Sequence, residues 1–229
     1  MDLSDLEKIL NVTFTNKDIL RTALVHRSYL NENPKFDLPS NERLEFLGDA
    51  VLELIVSDHL YRTYQDSAEG ELTNFRSSLV NTTSLAESSL KLGVGEFLYL
   101  SKGEEGSGGR KNQYILANTF EALLGAIYLD QGIDAASAFV HTHLIIKLPA
   151  IIEKQLYKDA KSSLQELSQD EISITPTYRV LSENGPDHNK VFTVGVYAGS
   201  KLLAKGSGKS KQQAEQQAAS TALANWSNS

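Results

Sequence analysis

Glu42, Glu45 and Asp49 stand at i, i+3 and i+7 in the run Asn41-Glu42-Arg43-Leu44-Glu45-Phe46-Leu47-Gly48-Asp49. At about 100° per residue the three carboxylates share a strip roughly 60° wide on one side of a helix. Acids crowded on one strip repel one another. A hard divalent cation held by oxygen ligands relieves that repulsion, so the spacing points to an Mg²⁺ or Mn²⁺ site. A solvated helix face has the same pattern, and these three residues alone do not separate the two readings. On the other side Leu44, Leu47, Val51, Leu52 and Ile55 recur three and four apart, which predicts a helix anchored in a core with its acidic edge turned elsewhere.

A second helix must supply further ligands, and the run from Tyr114 to Asp130 is the candidate. Asn118 and Glu121 lie at i and i+3 on one face among residues that are almost all apolar or small. That composition predicts a central helix, where a glutamate requires a partner or a metal.

The run Asn-Glu-Arg-Leu-Glu-Phe-Leu-Gly-Asp-Ala-Val-Leu closely resembles the signature helix of ribonuclease III. The run Ile-Leu-Ala-Asn-Thr-Phe-Glu-Ala-Leu-Leu-Gly-Ala-Ile-Tyr-Leu-Asp is similar to the second metal-binding helix of that family. Supporting pieces follow in the family's order: Ala23 to Ser28, Glu69 to Thr73 with Arg76, and Gly108 to Lys111. The resemblance implies a double-strand-specific endoribonuclease using Mg²⁺, with Mn²⁺ able to substitute, and leaving 5′-phosphate and 3′-hydroxyl ends with 3′ overhangs. It implies Glu45, Asp49, Asn118 and Glu121 as metal ligands, Asp49 and Glu121 as catalytic, and Glu42 and Glu69 as outer or second-metal contacts. It also implies a homodimer whose interface holds Phe46, and processing of rRNA precursors and structured mRNA. The family usually has Asp where Asn118 stands. An amide oxygen still binds Mg²⁺ but brings no charge. Two outcomes follow: an active nuclease with a neutral ligand, or a double-stranded RNA-binding protein that kept the fold and lost cleavage.

The chain has 229 residues, 41% of them hydrophobic, enough for one large or two small packed domains. A net charge of −7 and a pI near 5.3 look wrong for a polyanion binder. The distribution resolves this. Residues 159–229 carry seven acidic and seven basic side chains, so the excess lies in residues 1–158, with 22 acidic and 15 basic. Zero cysteines exclude disulfides and thiolate metal sites. The acidic start, and the expectation that no apolar run approaches the roughly 18 residues of a membrane span, predict a cytoplasmic protein without a membrane partner.

Residues 1–150 read as successive helices, with loops at Asn31 to Pro34, Asp66 to Gly70 and the Gly-rich Lys102 to Gly109, the last taken as a flexible connection. Pro149 and the charged run after it mark a boundary. Beyond it the pattern becomes helix (162–168), strands (177–182, 191–197, 201–207) and helix (210–225). This αβββα order, with Gly206 to Glu215 opening the last helix, resembles a double-stranded RNA-binding domain. From Lys190 onward five lysines face one acid, Glu215. The resemblance implies minor-groove contacts from Ser162, Gln165, Glu166, Pro186, Asp187 and His188, and phosphate contacts from Lys209, Ser210 and Lys211. Gln212 and Glu215 stand where the family often has lysine, so weakened RNA affinity is expected. His26, beside Arg27 and Ser28, reads as a structural hydrogen-bonding residue, and the matching family motif is not a metal ligand; His59, His141 and His143 have no ligand-like context, and all four stay outside the site.

The expected fold is multi-domain: an all-α ribonuclease III endonuclease domain over residues 1–150, a linker over 151–158, and a small α+β (αβββα) double-stranded RNA-binding domain over 159–226.

Overall fold

The computed structural model describes residues 3–155, 157, 159–186 and 190–226. The chain divides into two compact units, Met1–Tyr157 and Lys158–Ser229.

The first unit is built from α1 (Leu3–Leu10), α2 (Lys17–Ala23), α3 (Arg27–Glu32), α4 (Glu42–Thr63), α5 (Glu69–Val80), α6 (Thr82–Leu92), α7 (Lys102–Gly106), α8 (Gln113–Gln131), α9 (Ile133–His143) and α10 (Leu148–Glu153). At its centre α8 buries residues on every side, among them Leu116, Phe120, Leu123, Leu124 and Ile127. The Asn112 side chain caps it, accepting from the N–H groups of Tyr114 and Ile115. In its last turn the Asp130 carboxylate accepts from the N–H groups of Thr15 and Asn16, both at 2.8 Å, tying α8 to the start of α2.

α4 buries the expected stripe: Leu44, Val51, Leu52 and Ile55 are in the core and Leu47 packs against it. Its approach to α8 depends on two glycines. A Cβ on Gly48 would lie 1.8 Å from the Glu121 carbonyl oxygen, and one on Gly125 2.3 Å from that of Leu44. Any larger residue at either position holds the helices apart.

Three expectations change. The Gly-rich stretch is not a flexible connection: Lys102–Gly106 is helical, capped by Ser101 Oγ, and Arg110 donates to the carbonyls of Gly95, Glu96 and Leu98. Residues 151–153 of the expected linker complete α10, and Tyr157 packs edge-on against Phe75, with centroids 4.5 Å apart, so the first unit reaches Tyr157. Finally, Ile133–Glu153 is long and apolar enough to cross a membrane, with mean hydropathy 1.5. Here it is broken near Leu144 and buries Phe139, Val140, Leu144, Ile145 and Leu148 in the core.

The second unit contains α11 (Ala160–Ile172), β1 (Thr177–Asn184), β2 (Val191–Ala198), β3 (Lys201–Gly208) and α12 (Lys211–Trp226), in the expected αβββα order. The strands form an antiparallel sheet in the order β1-β2-β3. Leu164, Val196, Ala204, Ala218, Ala219 and Ala222 form the core between sheet and helices. α11 runs four residues further at its C-terminal end than periodicity suggested, because its polar face gives no stop signal before Ser173, which ends it with φ 56°.

Candidate active site and RNA-binding elements

Where α4 crosses α8, a cavity of about 630 Å³ is lined by Glu42, Glu45, Asp49, Asn118 and Glu121, with His26, Arg27, Asn41, Phe46, Tyr114 and Ile115 completing its wall. The crossing puts the acidic edge of α4 opposite the polar face of α8. Asn41 fixes the start of α4: it is buried, its N–H donates to the Val25 carbonyl at 2.8 Å and its amide to that of Ala23 at 3.3 Å. Glu42 and Glu45 fall in the first turn, where the helix dipole favours negative charge.

The electrostatics are uncompensated at the inner end. Burial, reinforced by Asp49 and Glu45, pushes the Glu121 carboxyl up to about 7. Burial also raises Glu45, helped by Glu42 and Asp49 and opposed by a hydrogen bond from the Asn118 amide. At the rim Glu42 is already engaged, accepting from Ser40 Oγ at 2.9 Å and lying 3.7 Å from Arg27. Hard oxygen donors around a half-buried carboxylate that resists ionisation are a donor set suited to a small divalent cation. Among the described residues, however, no three His, Cys, Asp or Glu side chains converge on one point at ligating distance.

Glu69 does not join this wall. It sits at the start of α5, where its carboxylate accepts from Thr73 Oγ1 at 3.1 Å and faces the helix N-terminus. One histidine, His26, departs from expectation. His26 was left outside the site but lines the cavity, its Nδ1 2.8 Å from Ser28 Oγ and its pKa lowered by burial. His59 and His141 meet edge-to-face at 4.9 Å, away from this cavity. Tyr114, Arg27 and His26 were missed as wall residues. Tyr114 was legible, four residues before Asn118 on the same helix face. Arg27 and His26 arrive through a tertiary turn that leaves no spacing signal.

Phe46 is 81% exposed. Beside it a second, largely apolar hollow of about 650 Å³ is lined by Ile19, Pro39, Leu44, Leu47 and Leu129 among others.

In the second unit, Ser162, Gln165 and Glu166 are exposed on one face of α11, and Lys209, Ser210 and Lys211 are exposed at the start of α12. Ser210 Oγ accepts from the Gln213 N–H at 3.2 Å, a capping bond that leaves its own proton available to donate. Pro186 is exposed in the β1–β2 connection; Asp187 and His188 lie outside the described residues. Glu215 is paired with Lys161 at 2.6 Å.

Residues 16–148 match the family model described as ribonuclease-III-like, and residues 160–225 match the double-stranded RNA binding motif. The chain belongs to the ribonuclease III family. Relatives named Ribonuclease 3 support the assignment along the full length. The one from Dehalococcoides mccartyi is 46% identical, over 100% of this chain and 97% of its own. The one from Carboxydothermus hydrogenoformans is 49% identical, over 97% and 94%. Among solved structures, the nuclease domain of ribonuclease III from Campylobacter jejuni matches with TM-score 0.59 and 36% identity, covering 65% of this chain and 97% of that one. A second structure of that domain, with the same TM-score and identity, is described as showing flexibility in a region involved in dimer formation. In ribonuclease III terms, the cavity between α4 and α8 lies in the nuclease unit, and the αβββα unit is its double-stranded RNA-binding motif.

Proposed function

We propose that this ribonuclease III family member hydrolyses phosphodiester bonds of double-stranded RNA, using Mg²⁺ or Mn²⁺ held by Glu45, Asp49, Asn118 and Glu121. The observation that carries the reading is the meeting of those four side chains around one cavity, in a chain that also bears the RNA-binding motif. A bound divalent cation would polarise an attacking water and offset the charge gathering on the phosphate oxygens.

The protein's own residues set the stage for that chemistry. Glu121, with its carboxyl near 7, holds a proton for part of the time at neutral pH and gives it up when positive charge enters the cavity. Asn118 donates to Glu45 through its nitrogen and leaves its oxygen to a cation. Arg27, tethered to Glu42, is a cation at the rim able to meet a phosphate. Asp49 and Glu121 carry the catalytic role, with Glu42 as an outer contact.

One cavity serves one strand, so cutting both requires a second copy related by a two-fold axis. The exposed Phe46 and the apolar hollow beside it supply a self-complementary surface for such a homodimer. Ser162, Gln165, Glu166 and Pro186 would meet the minor groove of an A-form duplex, and Lys209, Ser210 and Lys211 its phosphates. Structured transcripts of the cytoplasm, rRNA precursors and mRNA among them, are the substrates this chemistry suits.

The test is a long labelled RNA duplex incubated with the protein in Mg²⁺ or in EDTA. Short duplexes with 5′-phosphates and 3′ overhangs, formed only with Mg²⁺, are expected. An intact duplex under every metal, together with retained binding, would instead establish a silent binder.

A further inference from the structure

One of the two lysines proposed to face phosphate, Lys211, already has an anion beside it. Glu183, on β1, stands directly across the ladder from Phe192 on β2. One of its carboxylate oxygens lies 3.5 Å from Lys211 Nζ and the other 3.7 Å from Lys190 Nζ. The Lys211 ammonium also sits 5.7 Å from the centre of the Phe192 ring, so it lies over this cross-strand pair. Lys211 is in the first turn of α12 and Lys190 immediately precedes β2, so one carboxylate ties together two stretches of chain that meet at the edge of the sheet. Lys209, two residues before Lys211, makes no ion pair among the described residues.

We propose that Glu183 is an affinity-setting residue for duplex RNA: an internal anion that occupies Lys211 and Lys190 until a phosphate displaces it. The inference rests on the reading of Lys211 as a phosphate contact. A phosphate arriving at the N-terminus of α12 must draw the Lys211 ammonium from Glu183 or share it. In either case the carboxylate stays beside the phosphate as a like charge. The pair is exposed and its distances exceed those of a tight charge-assisted bond, so displacement is easy and the restraint on affinity small. It acts on every sequence alike, because it opposes the backbone and not the bases. A nuclease that must release short duplex products is served by such a brake. Glu215, on α12, behaves differently: it holds Lys161 at 2.6 Å with both side chains largely covered, so it belongs to the packing of α11 on α12.

Binding of the full chain to an RNA duplex of about 20 base pairs, just longer than the roughly 16 such domains span, is measured in EDTA across a salt series for the parent, Glu183→Gln, Lys211→Gln and the double variant. Glu183→Gln keeps size and hydrogen bonding. It is expected to bind about two- to fivefold more tightly at low salt, as loss of a weak surface pair allows. Its log K against log salt plot should steepen by about one. Lys211→Gln should weaken binding, and in the double variant the gain from Glu183→Gln should shrink. If Lys211→Gln binds like the parent, the phosphate-contact reading fails and the inference with it. If Lys211→Gln weakens binding while a normally melting Glu183→Gln binds no more tightly than the parent, the inference alone is overturned.

Discussion

Alanine at Gly48 would set the packing of α4 on α8 against itself. The new Cβ would stand 1.8 Å from the Glu121 carbonyl oxygen, 2.6 Å from its carbon and 3.0 Å from the Gly125 nitrogen, where ordinary contact begins near 3.4 Å. All three are backbone atoms of α8, so no side chain can swing aside, and the helices must part by roughly 1.5 Å. Overpacking of a core costs about 1–3 kcal/mol, and here the strain falls on two long helices at once, toward the upper end. Better helix propensity returns about 1 kcal/mol. A net loss of about 2 kcal/mol lowers the melting temperature by roughly 4–8 °C for a unit of this size. Gly70→Ala is the control: a Cβ there meets nothing within 4 Å, so the same change of residue in α5 should be neutral or stabilise by up to about 1 kcal/mol. Thermal melts of both variants give opposite signs if the reasoning holds. Because the parting runs between Glu45 and Asp49 on one side and Asn118 and Glu121 on the other, cleavage should fall by about a hundredfold. A Gly48→Ala protein as stable as Gly70→Ala would refute the close-approach argument.

Glu121→Gln tests the buried carboxyl. With its pKa raised from 4.5 to about 7, the stability it contributes is complete below pH 4.5 and is lost as pH rises through 7. The variant should therefore gain on the parent between pH 5 and pH 8 in EDTA. Full burial would make the gain about 3 kcal/mol, and solvent access reduces it to roughly 1–2 kcal/mol in urea melts; equal differences at both pH values would rule the shift out. Asn118→Asp adds a charge to the cavity and should tighten Mn²⁺ binding tenfold or more by calorimetry, since close charges at an intermediate dielectric interact by several kcal/mol; identical titrations would mean that Asn118 touches no metal. Phe46→Glu should yield monomers in sedimentation equilibrium with the monomer fold intact, and a persisting dimer would remove Phe46 from the interface.

What the sequence disclosed follows from which physics is local. The acidic strip and apolar stripe of α4, and the pairing of Asn118 with Glu121, are periodicities within single helices, and the structure places all of them as spacing required. The strand over 191–197 was equally local. Contributions that cross the chain were not legible. Arg27 and His26 reach the cavity because Asn41 and Tyr99 hydrogen-bond to the backbone around Val25, a tertiary clasp with no signature in spacing. The run Lys102 to Gly109 reads as flexible by its glycine content, whereas Arg110 and the Ser101 cap decide its order. The pairing of Lys211 with Glu183 was hidden for the same reason: the two residues are far apart in sequence and meet only when α12 closes on the sheet.

The crossing of α4 and α8 also fixes when, during synthesis, the acidic wall of the cavity is assembled. Glu45 and Glu121 lie roughly 75 residues apart, so a ribosome adding about 5–20 residues per second takes several seconds to pass from the first to the second. During that interval the nascent chain carries only half of the acidic wall. The wall is complete only once α8 has emerged and Gly48 has settled against it. A chain cut short before α8 therefore carries the acidic edge of α4 without the residues that face it.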